Sequence, residues 1–141
     1  MRFLTLMTAL FLAATVNAAD KHRIVLHLDE ADPARQELVL NNASNINKYY
    51  QDKGEEVEIE IVAYGPGLTM LVPGKSPVEE RVVSIAQNFE NVSFQACAVT
   101  LSKMSQKAGK QVELMPQAKM VPSGVVHLVE RQEQGWSYIR P

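Results

Sequence analysis

The sequence predicts an α/β protein: a single three-layer domain in which a mostly parallel sheet is flanked by helices. Two observations carry this. Apolar runs of strand length (Arg23 to Leu28, Glu56 to Tyr64, Val92 to Cys97, Ala118 to Val121) alternate with stretches whose apolar residues recur at three and four. Strands that alternate with helices pair in parallel, because each crossover returns the chain to the same edge of the sheet. The second observation is continuity. No repeat, low-complexity tract or linker divides the 141 residues, a length that suits one domain.

Taken in order, the chain opens with Met1-Arg2, an apolar run from Phe3 to Ala14, and small residues up to Ala19. A positive start, a short apolar core and a Val16-Asn17-Ala18 cleavage site describe a secretory signal peptide over residues 1–18. The run is too short for a spanning helix, which needs roughly 18 to 20 apolar residues. The expected mature domain is residues 19–141, periplasmic or secreted and without a membrane segment. The formal charge of −2 falls by one when Arg2 leaves, to about −3. No basic stripe is present, which argues against a nucleic-acid partner.

Arg23 to Leu28 is a first strand whose apolar residues run almost unbroken, as in a strand covered on both faces. Asp32-Pro33 starts a helix, with a side-chain acceptor at the cap and proline at the first helical position. Val39, Ala43, Ile46 and Tyr50 mark its apolar face to about Asp52, where Gly54 stops it. Asn42 and Asn45 share one side of this helix and are expected to bond a neighbouring loop or subunit. In Glu56 to Tyr64, Val57, Ile59 and Ile61 alternate with Glu56, Glu58 and Glu60. That acidic row implies that one face of the strand meets water or another subunit, at least over its first half. Gly65-Pro66-Gly67 follows, either an ordinary turn or an anion-binding loop.

Ser76-Pro77-Val78-Glu79 reads as a capping box, followed by the stripe Val78, Val82, Ile85, Phe89. Val92 to Cys97 alternates as a strand, and Ala98, Leu101, Met104 and Ala108 then repeat as a helix ending near Gly109. Gln111 to Met115 is a further extended candidate. Ala118 to Val121 is a short strand closed by Pro122-Ser123-Gly124. Ser123 caps a last helix carrying Val125, Leu128 and Val129. Gly135 ends it, and Trp136 to Ile139 form a terminal strand.

Cys97, the only cysteine, falls where a strand gives way to a helix. Unpaired N–H groups at such a junction favour a thiolate. In an open α/β sheet the junction also lies on the edge where ligands bind. An exported protein with one cysteine has no internal disulfide, so Cys97 is a buried hydrophobe, an intermolecular link or a reactive thiol. Gly65, Gly67, Ser123 and Gly124 lie on loops expected at the same edge, and form a candidate pocket for a small anion or metabolite.

The stretches LVLNNASN, IEIVAYGPGLTML, VSFQACAVTL and MVPSGVVHLVERQEQGWSYIRP resemble the DsrE/DsrF-like family, the sulfur-relay fold, and an exported branch of it in particular. The resemblance covers nearly everything after Ala19. It implies a compact α/β sheet domain and assembly into a homo-oligomer, a trimer or hexamer. It also implies that Cys97 carries sulfur as a persulfide, with a sulfur donor or acceptor protein as partner. A non-catalytic oligomeric module that binds its ligand between the Gly65–Gly67 and Pro122–Gly124 loops is the alternative.

Other chemistries have little to rest on. His22, His27 and His127 form no HxxxH pair and there is no second cysteine, so no metal site is expected. No cofactor fingerprint is present. Met70, Met104, Met115 and Met120 read as core filling. No GxSxG elbow marks a hydrolase.

Overall fold

A computed structural model describes residues 21–141. The signal-peptide reading of residues 1–18 lies outside them. Among the described residues no helix is long and apolar enough to cross a membrane.

The chain runs β1 (His22–Leu28), α1 (Pro33–Asp52), β2 (Val57–Ala63), a 3-10 helix (Gly65–Leu71), α2 (Glu79–Asn88), β3 (Val92–Cys97), α3 (Ala98–Ala108), β4 (Ala118–Val121), α4 (Gly124–Glu133) and β5 (Ser137–Ile139). The sheet order is β4-β3-β2-β1-β5, and every pairing is parallel. The predicted α/β class therefore holds. Gln111 to Met115 is the exception among the strand candidates. It forms a connector whose Met115 N–H donates to the Leu71 carbonyl, and no ladder partner reaches it.

The alternation of side chains divides the sheet between two layers. Ile24, Leu26, Ile59, Ile61, Phe94 and Ala96 point to one face, where Val39, Leu40 and Ala43 of α1 and Val82 and Ile85 of α2 cover them. Leu101 and Met104 bring α3 onto the same face. Val25 and Val62 point the other way and meet Leu128 of α4 and Trp136. Three helices thus cover one face and α4 covers the other. The layering follows from the order of the strands. The chain steps from β1 out to β4 through α1, α2 and α3, then returns across the sheet through α4 to reach β5 beside β1.

Helix starts show how local chemistry is used. Asp32 accepts from the Ala34 N–H and Pro33 begins α1. The capping box at Ser76 forms only in part. The Ser76 hydroxyl accepts from Val78 N–H, but Glu79 reaches back to the Gly74 N–H instead of Ser76, and the helix begins at Glu79. Within the chain, neither Asn42 nor Asn45 bonds a neighbouring loop. Asn47, one turn on and buried, accepts from Asn91 and ties α1 to the start of β3.

The acidic row of β2 is split. Glu56 is exposed and Glu58 half-exposed, as expected of its first half. Glu60 is buried at 4% exposure beneath α4. Its carboxylate accepts from His127 Nε2 at 2.6 Å, from Arg131 Nε at 2.9 Å and from Arg131 NH2 at 2.9 Å. The return of α4 over this face supplies the Arg131 guanidinium and the His127 donor that make a buried acid tolerable.

Burial by itself would raise the Glu60 carboxyl, but hydrogen bonds from Arg131 and then His127 outweigh it and hold it below its ordinary value. A depressed acid stabilises the fold fully above its unfolded value of 4.5, and the contribution is lost as pH falls through the lower folded value. Glu60→Gln is expected to cost about 3 kcal/mol at neutral pH. Its stability should then fall less steeply than the wild type's below pH 4.5, as urea midpoints against pH will show.

Candidate functional site

β3 ends at Cys97, and the next residue begins α3, so the thiol is itself the N-cap of that helix. Its Sγ accepts from the Thr100 N–H at 3.4 Å, which occupies one of the unpaired donors of the first turn. The neighbouring strand β4 ends at Val121, opposite Cys97 in the ladder, and α4 begins at Gly124. α3 leaves to one face of the sheet and α4 to the other. Adjacent strands whose connections part in this way leave a crevice between their ends, the switch point at which open α/β sheets bind ligands. Cys97 lies in that crevice with a helix N-terminus on either side.

The electrostatics favour the thiolate. Cys97 is 4% exposed, and burial pushes its thiol up. The Thr100 hydroxyl and the backbone N–H groups of Gly124, Thr100 and Val99 more than offset this and bring it below its ordinary value. No cationic side chain is needed. The Thr100 oxygen itself accepts from the Gly65 N–H at 2.9 Å, which leaves its own proton free to point at the sulfur.

The thiol opens on a pocket of about 500 Å³. Tyr64, Gly65 and Pro66 line one side, Thr100, Lys103 and Lys107 another, and Ser123 and Val125 a third. The loops gathered at this edge of the sheet are those expected, but the glycines act differently from one another. Gly65, at φ +53°, takes a left-handed turn and spends its N–H on Thr100. Gly67 faces the end of β1, where an added Cβ would lie 2.4 Å from the Leu28 carbonyl oxygen. Gly124 lets α4 approach Tyr64, whose Cβ would stand 2.9 Å from a Cβ there. Ser123 holds the cap position of α4, but its hydroxyl makes no capping bond and instead lines the pocket.

Four pocket residues were not legible as such. Thr100 lies three positions after Cys97, and that spacing is the one signal available, since a side chain at the third helical position can reach back to the cap. Lys103 and Lys107 follow on the same side of α3. Tyr64 follows β2 at the start of the 3-10 helix, and nothing local marks it. Its neighbour His27 is buried and stacks on it at 5.0 Å between ring centres. His27 Nδ1 pairs with the Tyr138 hydroxyl at 2.6 Å, as a strand-face histidine would. Burial is the main cause that lowers its pKa. Of the methionines expected in the core, Met70 and Met115 are buried and Met104 packs at its margin. Met120 is 51% exposed, because β4 is an edge strand.

The fold and this junction define a class: a parallel α/β domain with a lone thiol at the switch point of its sheet. A solved structure described as a protein of unknown function, from Methanobacterium thermoautotrophicum, is 35% identical to this chain. The match covers 86% of this chain and 100% of that one, with a TM-score of 0.71. The chain belongs to the same family as that archaeal protein. No protein-family model matches the chain, and no curated protein does.

Proposed function

We propose that this protein is an exported thiol protein of the DsrE/DsrF-like kind, which accepts sulfur on Cys97 and carries it as a persulfide. The observation that carries the reading is the place of the one sulfur: it caps α3, accepts from the Thr100 N–H at 3.4 Å, and shares its pocket with Ser123 and Val125 at the start of α4. Donors placed in this way hold the thiolate, the form that attacks a sulfur–sulfur bond. They serve equally the anionic outer sulfur of a persulfide. Lys103 and Lys107 at the pocket's side suit an anionic donor such as polysulfide.

The loading step balances without an added oxidant. The Cys97 thiolate attacks a sulfur of the polysulfide and a new S–S bond forms. The old S–S bond breaks, and its electron pair leaves with the shortened polysulfide dianion. Cys97 is left as an anionic persulfide. An acceptor thiolate on a partner protein then attacks the outer sulfur and releases the Cys97 thiolate. Intact-mass spectrometry after incubation with polysulfide tests this. A gain of one sulfur atom that a thiol reductant removes is expected, and no gain would refute the reading.

Self-association fits the same account. Val125, Val126 and Val129 of α4 stand about half exposed, at 53%, 51% and 49%. The proposed assembly is a trimer or hexamer, with closed symmetry as the usual outcome. Light scattering that finds only monomer would count against it. The alternative, a binding module for a small anion between the two glycine loops, has less support. The N–H groups of Gly65 and Gly67 already donate within the fold, to Thr100 and to the Tyr64 carbonyl.

A further inference from the structure

Glu60 is the buried acid that the thiol chemistry does not use, and its partners lie on the helix that reaches Cys97. His127 is one turn along α4 from Gly124, and Arg131 is one turn further. Both donate to the same carboxylate, so Glu60 grips α4 from its middle to its last turn, from the centre of the sheet. The other restraints on this end of the helix are the β3–β4 ladder, which pairs Val121 with Cys97 three residues before Gly124, and two contacts without directed bonds, Leu128 against Val25 and Val62 and Gly124 against Tyr64. Those fix how close the helix lies to the sheet. They do little to prevent a small slide or rotation of the helix beyond the end of β4, because the ladder stops at Val121 and apolar contacts have no directional preference. Three directed hydrogen bonds do prevent it.

We propose that Glu60, through His127 and Arg131, is a positioning residue that fixes the N-terminus of α4 against Cys97. The proposal rests on the thiol reading above, and it assigns the β2 acid and its two α4 partners to the site. An N–H group stabilises an anion only while it points at it, and the effect fades within about one helical turn. A small slide of α4 therefore moves its first turn, where Ser123 and Val125 line the pocket with Cys97, away from the thiol while the fold stays intact. The titratable groups that line the pocket with Cys97 are Tyr64 from just after β2 and Lys103 and Lys107 from α3. None is changed in the variants below.

The test is the pH profile of Cys97 alkylation by iodoacetamide in the native wild type and in Glu60→Leu, His127→Leu and His127→Gln. Glu60→Leu fills the space and removes both acceptor oxygens. Removing a negative charge would by itself ease ionisation of the thiol. A positioning role predicts the opposite sign, a rise of about half a pKa unit and roughly threefold slower alkylation at neutral pH. His127→Leu is expected to show the same rise. His127→Gln retains a donor where Nε2 stood, and should keep the wild-type profile. If Glu60→Leu does not fold, His127→Leu, which leaves Arg131 on Glu60, decides the matter. A depressed wild-type thiol with unchanged or lower values in the folded variants overturns the positioning role and leaves the thiol reading standing. A wild-type thiol that is not depressed overturns both.

Discussion

Cys97→Ser is expected to take up no sulfur from polysulfide under conditions that fully load the wild type, a loss limited only by detection. The hydroxyl is not ionised at neutral pH and cannot displace a polysulfide chain, so the donors around it have no anion to stabilise. The fold should survive the change. Serine is close to cysteine in size, and its oxygen can accept from the Thr100 N–H that now reaches Sγ. Burying a hydroxyl where a thiol stood is expected to cost about 1 kcal/mol, within the range of mild substitutions. A far-UV spectrum and a urea midpoint close to wild type, with no mass gain, separate lost chemistry from lost structure. Any remaining uptake would place the sulfur elsewhere.

The second large effect is structural and lies at the floor of the same edge. Gly67→Ala is expected to cost about 3 kcal/mol or more and to lower the melting temperature by roughly 10 °C. The added Cβ would lie 2.4 Å from the Leu28 carbonyl oxygen, 2.8 Å from its carbon and 3.0 Å from the Asp29 Cα. All three are backbone atoms, so no rotamer change relieves the clash. β1 cannot retreat, since Leu28 is paired with Ala63 and buried. The 3-10 helix cannot retreat either, with Leu68, Met70 and Leu71 fully enclosed. The strain should also reach the thiol, because the Gly65 N–H that orients Thr100 lies two residues away. A urea midpoint that falls at unchanged slope would confirm the loss of stability. A midpoint equal to wild type would contradict the close approach of these two chain segments.

How far the molecule could be read from its sequence depended on whether the cause was local. α1 was legible from Asp32-Pro33 to Asp52 because cap, proline and periodicity all belong to the helix itself. The Cys97 junction was legible for the same reason: a period of two ends and a period near 3.6 begins at one residue. Glu60 was not. An acid alternating with valine and isoleucine reads as a solvated face, and only the return of α4 supplies His127 and Arg131 from 67 and 71 residues away. Ser123 shows the converse limit. It holds the cap position that its sequence context implies, but the local rule assigned its hydroxyl a bond that it does not make. The second donor to the thiol, from Gly124, depended on which strand lies beside β3, and strand order is not a local property.

We propose that Cys97, buried at the lining of its pocket, is a thiol whose ionisation is eased by the helix start that it caps. The most direct measurement is the rate of Cys97 alkylation in the native protein as a function of pH. The account predicts modification of the folded protein, with an apparent pKa below the free-thiol value of about 8.5. A thiol that stays unmodified until the protein is unfolded would contradict it.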